Sequence, residues 1–187
     1  MFRKLFVAVL ASLLWASFGM AMDTAGITMP PSIETGETQL LLNGAGVRTK
    51  WFMGLYVGGL YLNKRGRDPE RIITADEPMA IRLHIISSLI TSEKMEQATR
   101  EGFENATGGD ISPIKAQTEK FISVFRQKIN ENDTYDLIYV PGKGVEVYKN
   151  QQLNCLIEGL AFKEALFGIW LCDKPAQRSL KQAMLGP

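Results

Sequence analysis

The chain predicts an α+β fold built on a mostly antiparallel sheet. Strand-like runs lead, helical periodicity fills the middle, and three more strand-like runs return before a helical close. That order differs from the strict strand–helix alternation of a parallel α/β sheet.

The first element is "DTAGITMPPSIETGETQLLLNGAGVR", read as a short strand, a Pro-Pro break, a turn at Thr35-Gly36 and a longer strand. In "LLNGAGVRTKWF" an apolar run meets Gly-Ala-Gly, which reads as a turn with Arg48 just after it. "LYVGGLYLNK" is rich in Tyr, Val and Leu and reads as strand; Gly58-Gly59 within it marks a bulge or a close approach by another group. "DPERIITADE" opens with Asp68 before Pro69, the cap-then-proline order of a short helix. In "PMAIRLHII", Ile81, Leu83 and Ile85 share one face, and Arg82 and His84 take the other.

Ser92 is expected to cap the next helix, with Glu93 in its first turn. Met95, Ala98, Thr99, Gly102 and Phe103 recur at helical spacing as its buried face. After the "NATGGDISP" loop, a helix from about Ile114 carries Phe121, Ile122, Val124, Phe125 and Ile129 as its apolar side. "TYDLIYV", "GVEVYK" and "QLNCLI" follow as strands joined by turns at "PGKG" and "KNQQ". Helix "GLAFKEALFGIWL", a break at Asp173-Lys174-Pro175 and a short helix around "SLKQAML" close the chain.

Residues 1–21 are set apart as a secretory signal peptide, leaving 22–187 as one domain. Arg3 and Lys4 form the basic start, Leu5 to Leu14 the apolar run, and Gly19-Met20-Ala21 the small-residue cleavage pattern. The run is short for a bilayer span, so no transmembrane segment is expected after cleavage, and the location expected is periplasmic or secreted. The remaining length suffices for a stable core. Lys and Arg total 21 against 20 Asp and Glu, and two of the basic residues fall in the leader. The domain is thus close to neutral, without the field that would attract nucleic acid. Cys155 and Cys172 form no C-x-x-C motif, and an oxidising compartment leaves pairing and separate thiols both open.

The chain contains no G-x-S-x-G, H-E-x-x-H or phosphate-loop motif, and "GAGVRTKW" lacks the third glycine of a dinucleotide fingerprint. No metal-ligand spacing is present, and no cofactor is expected. His84 is the one histidine; it reads either as a hydrogen-bonded strand residue or as an axial haem ligand. Arg48 is the informative charge. Facing inward, it needs an anion, either a protein carboxylate or the carboxylate or phenolate of a ligand; facing outward, it is a surface arginine at a turn. Tyr56 can add a phenolic donor beside it. Tyr61 lies an odd number of residues away and faces the other side, unless a bulge at the glycine pair resets the register. Lys50 reads as a solvated lysine.

"LNGAGVRTK", "LYVGGLYL", "IRLHIISSLITSEKMEQATREGFEN", "YVPGKGVEV" and "GIWLCDKPAQRSLKQAMLG", in this order and spacing, resemble the chalcone isomerase fold family, in particular its bacterial chalcone isomerase-like branch. The resemblance implies an open-faced β-sandwich, a large antiparallel sheet covered by a layer of helices, with a ligand cleft between. It implies that Arg48 reaches into the cleft, where the plant enzymes hold a phenolate and the fatty-acid-binding relatives a carboxylate. The plant enzymes carry a threonine at the position of Tyr56, where a tyrosine resembles the fatty-acid-binding relatives, and the plant enzymes also carry a tyrosine and an asparagine near the places of Thr91 and Ala98. The anion-holding half of the site is matched and the ketone-activating half is not. The expectation is a non-catalytic binder of a small amphiphilic carboxylate at Arg48 and Tyr56. The alternatives are an isomerase using Arg48 catalytically and a haem protein using His84.

Overall fold

The computed structural model describes residues 21–36 and 38–186. The segment read as a leader therefore lies almost wholly outside the described residues. A two-stranded hairpin of β1 (Met22–Thr24) and β2 (Ile27–Met29) precedes a curled seven-stranded antiparallel sheet. The sheet contains β3 (Ser32–Thr35), β4 (Thr38–Lys50), β5 (Met53–Leu62), β6 (Met79–Ile85), β7 (Thr134–Val140), β8 (Gly144–Lys149) and β9 (Gln152–Ile157), side by side in chain order. Five helices pack on it: α1 (Pro69–Thr74), α2 (Ser92–Ala106), α3 (Lys115–Ser123), α4 (Leu160–Leu171) and α5 (Arg178–Met184). The antiparallel sheet and its helical layer are the α+β architecture expected from the sequence.

The alternation in the strands sorts residues onto two faces. Leu60, Ile81, Leu83, Tyr135, Leu137 and Val147 point toward the helices and join Phe103, Phe121, Phe125, Phe162 and Phe167 in the main core. Phe121 meets Phe103 and Phe125 edge-on, with ring centroids 6.0 Å and 5.3 Å away. The opposite face carries a smaller cluster of Leu40, Leu42, Val57, Tyr61, Ala80 and Ile138, covered in part by Met29 of the first hairpin.

The Gly-Ala-Gly segment is not a turn. It lies inside β4, and the strand runs on past Arg48 to a reversal at Trp51-Phe52. Its glycines are there because α5 crosses the sheet at this point. A Cβ on Gly44 would sit 2.1 Å from the Ala183 carbonyl oxygen, and one on Gly46 would sit 2.6 Å from the Ala183 Cβ. Gly58, opposite Gly46 on β5, lies beneath Leu180 of the same helix. The register is unbroken at Gly58-Gly59; the shifts fall between Leu42 and Gly44 and between Arg48 and Thr49.

Asp68 caps α1 as expected, accepting from the backbone N–H groups of Glu70 and Arg71, an arrangement worth about 1 kcal/mol. The cap of α2 is Thr91, one residue before Ser92: the Thr91 hydroxyl accepts from the Lys94 N–H. Helix α4 is apolar on nearly every side and buried from Phe162 to Leu171 apart from the half-buried Glu164. Its Lys163 is fully buried and donates to the carbonyl oxygens of Ile72, Ile73 and Ala75 at the end of α1, where a cation complements the helix dipole. Burial pulls this ammonium down to about 8. Cys155 and Cys172 are free thiols. Among the described residues, no helix is long and apolar enough to cross a membrane.

Candidate functional site

A cavity of about 480 Å³ opens between the sheet and α2 and α4, within the roughly 300–1,000 Å³ range of small-molecule sites. Its inner wall is apolar, with Leu55 and Leu83 from the sheet, Met95 from α2, Phe121 and Phe125 from the α3 region and Ile169 from α4. Gly102 lets α4 approach: a Cβ there would stand 2.8 Å from Ile169 Cγ2. Ala98, one turn earlier on α2, is exposed by area yet faces the cavity.

Arg48 and Tyr56 are direct partners across β4 and β5, so both side chains rise on the cavity face. Arg48 is half-buried. Its Nη1 donates to the Thr49 carbonyl at 2.7 Å and to Gln177 Oε1 at 2.9 Å. Gln177 also accepts from the Thr49 N–H at 2.8 Å, and its own amide donates to Ser179 Oγ at 2.6 Å and to the Val47 carbonyl at 3.3 Å. This glutamine, immediately before α5, thus fixes the arginine through neutral bonds. Among the described residues, no carboxylate lies within ion-pair distance of Arg48. Among the described residues its Nη2 and Nε meet no acceptor and can donate to a ligand.

Tyr56 is buried, and its hydroxyl accepts from Trp170 Nε1 at 3.0 Å. Burial pushes its pKa up, against the opposing pull of the Trp170 N–H and the Arg48 charge. The phenol therefore keeps its proton, which it can donate to an acceptor in the cavity. Arginine and tyrosine form a two-donor corner at one end of an otherwise apolar space. Thr99 and Asn105 of α2 add polar groups to the lining, and Lys50, Lys94 and Glu101 add charges.

The structure does not bring His84 to this site. His84 pairs with Val57 and Thr134 and lies on the far face of the sheet, beside Arg82, which forms a bidentate pair with Asp136. Tyr61 is also on that far face, donating to the Pro30 carbonyl at 3.1 Å. Thr91 serves as a helix cap, whereas Ala98 lines the cavity. Among the described residues, no cluster of His, Cys, Asp and Glu has the makings of a metal site.

Sequence reasoning missed Trp170 and Gln177. Trp170 left a trace, because a buried indole N–H needs an acceptor and a buried tyrosine on a facing strand can supply one. Gln177 left none, being an ordinary polar residue in the loop after Pro175.

A fatty-acid binding protein from Arabidopsis thaliana superposes on the chain with a TM-score of 0.68 and 18% identity, covering 86% of this chain and 92% of its own. At that identity the likeness is one of fold. No curated protein matches the sequence. The family model described as chalcone isomerase-like matches residues 21–186. With nearly the whole chain matched and a sheet, helical layer and cleft of that architecture in place, the protein belongs to the chalcone isomerase-like family.

Proposed function

We propose that the protein is a non-catalytic binder of a fatty acid or similar amphiphilic carboxylate, acting in the periplasm after removal of residues 1–21. The observation that carries this reading is Arg48, a half-buried guanidinium with free donors and no carboxylate partner among the described residues, set at the polar corner of an apolar cavity. A carboxylate head group there accepts from Arg48 and from the Tyr56 hydroxyl, while the chain lies along Leu55, Leu83, Met95 and Phe125. The fold shared with a protein named for fatty-acid binding supports the same reading. An isomerase would need a second group to polarise a ketone and stabilise the enolate. The Tyr56 hydroxyl is the main candidate, and it stands on the strand position paired with Arg48, at the corner that Arg48 already serves.

The test is extraction of the periplasmically expressed protein under denaturing conditions, followed by mass spectrometry, with Arg48→Ala alongside. Stoichiometric fatty acid is expected in the wild type. The variant should bind a fluorescent fatty acid about tenfold or more weakly, the value of a lost charge-assisted hydrogen bond. An empty wild-type extract with no measurable fatty-acid affinity overturns the proposal, and cyclisation of a chalcone above the spontaneous rate replaces it with the isomerase.

A further inference from the structure

The reversal between β4 and β5 places Trp51 and Phe52 at the outer end of the cavity, both exposed, at 79% and 105%. Met53 and Leu89 beside them are 46% and 42% exposed. Three of these four, Trp51, Met53 and Leu89, also line the cavity, as do the exposed Lys50 and Lys94. The apolar tip and the mouth of the cavity are therefore one continuous surface with two lysines at its edge. The carboxylate that lines the cavity, Glu101, lies two helical turns along α2 from Lys94.

The backbone at this tip is unusual. Trp51 and Phe52 have φ of +52° and +66°, a left-handed two-residue turn normally filled by Asn and Gly. Bulky aromatics are the least suited residues for it. Among the described residues they gain little from packing, since Phe52 stands wholly in solvent and Trp51 is buried only by about a fifth, at the cavity edge. A surface beyond the described residues would account for them.

We propose that the β4–β5 tip docks on an anionic lipid bilayer, inserting Trp51, Phe52, Met53 and Leu89 at the headgroup level with Lys50 and Lys94 on the phosphates. Aromatic side chains favour the membrane–water interface, lysines flanking them add attraction to anionic lipid, and one convex tip with a charged edge fits that boundary. A second copy of the chain fits less well. Two aromatic side chains of roughly 150–250 Å² each, with two half-exposed aliphatic neighbours, fall short of the roughly 800 Å² per partner of a stable interface. Docking would turn the cavity mouth toward the membrane, so that an amphiphile passes between bilayer and cavity without crossing water. That route rests on the binding function proposed above; the docking itself does not.

The experiment uses the chain from Met22, within which both core clusters lie. Flotation with vesicles of phosphatidylcholine alone or with one quarter phosphatidylglycerol is read beside solution affinity for a fluorescent fatty acid. The key variant is Phe52→Gly, because Phe52 is outside the cavity lining and glycine suits its φ. The wild type should float with the anionic vesicles, with a blue shift of Trp51 emission. Phe52→Gly should bind them about tenfold more weakly while keeping its fatty-acid affinity. Lys50→Gln with Lys94→Gln should remove most of the preference for anionic lipid. A wild type that stays with the soluble fraction, or a Phe52→Gly variant that floats equally well, overturns the docking proposal. So does a dimer that Phe52→Gly dissolves without any vesicle binding. Retained fatty-acid affinity in those cases leaves the cavity's function standing; lost fatty-acid affinity with intact flotation sinks only the latter.

Discussion

Two hairpins of this sheet reverse through the same backbone geometry with opposite residue choices. At the β8–β9 turn, between Lys149 and Gln152, Asn150 and Gln151 have φ of +51° and +68°. At the β4–β5 turn, between Lys50 and Met53, Trp51 and Phe52 have φ of +52° and +66°. Asparagine tolerates this region, and here it is also tied down. Asn150 Nδ2 donates to Asp133 Oδ1 at 2.9 Å, Asn150 Oδ1 accepts from the Thr134 N–H at 2.8 Å, and Lys149 lies 3.1 Å from Asp133. The aromatic turn has no such side-chain bonds among the described residues. One end of the sheet is built for stability, and the end beside the cavity gives stability up.

The contrast breaks most severely if the turns are exchanged. Asn150→Trp with Gln151→Phe should destabilise the fold by about 3 kcal/mol, combining lost hydrogen bonds with left-handed strain; urea unfolding reads it. Asp133→Ala should cost about 2 kcal/mol, because it frees Asn150 and leaves the Asn130 N–H without its 2.9 Å acceptor. In the opposite direction, Trp51→Asn with Phe52→Gly should raise stability by about 1–2 kcal/mol and the melting temperature with it. A fall in melting temperature would show that the aromatics pack in a way the geometry hides.

The smallest effect is in acid. Burial raises the Asp133 pKa, but the Asn150 amide, the Asn130 N–H and Lys149 outweigh it, so its folded value lies below that of an ordinary aspartate. Its stabilising contribution is full above the ordinary pKa and is lost as pH falls through the folded one, because there the unfolded chain takes up the proton first. Urea midpoints below pH 4 should fall more steeply in the wild type than in Asp133→Asn.

Parity in the strands carried much of this into the sequence. Ile81, Leu83 and Ile85 turned inward and Arg82 and His84 outward as their alternation required, and the five-residue step from Tyr56 to Tyr61 placed them on opposite faces. What parity could not supply was the site of the reversal. Gly44 and Gly46 signal a turn by composition, yet they serve α5, a helix that begins more than 130 positions later. The true turn has two aromatics and no turn residue at all. The Ser92 cap missed by one position because Thr91 can do the same work. That Arg48 meets Gln177, across 129 residues, follows from no local pattern.

That long-range contact makes the corner formed by Arg48 and Tyr56 contingent on one small piece of the molecule. The helix that carries Gln177 into place has seven residues and is anchored mainly by Leu180 and Met184. Elements of this kind open locally at less free energy than the whole fold. When α5 lifts, Leu180 and Met184 leave the main core and Arg48 loses the amide that aims it, while the strands of the sheet can stay paired. On the binding function proposed above, release of a bound amphiphile would then need no unfolding of the sheet and no chemical trigger, only a brief detachment near the end of the described chain. Exchange rates of the α5 amides, with and without a bound amphiphile, would time it.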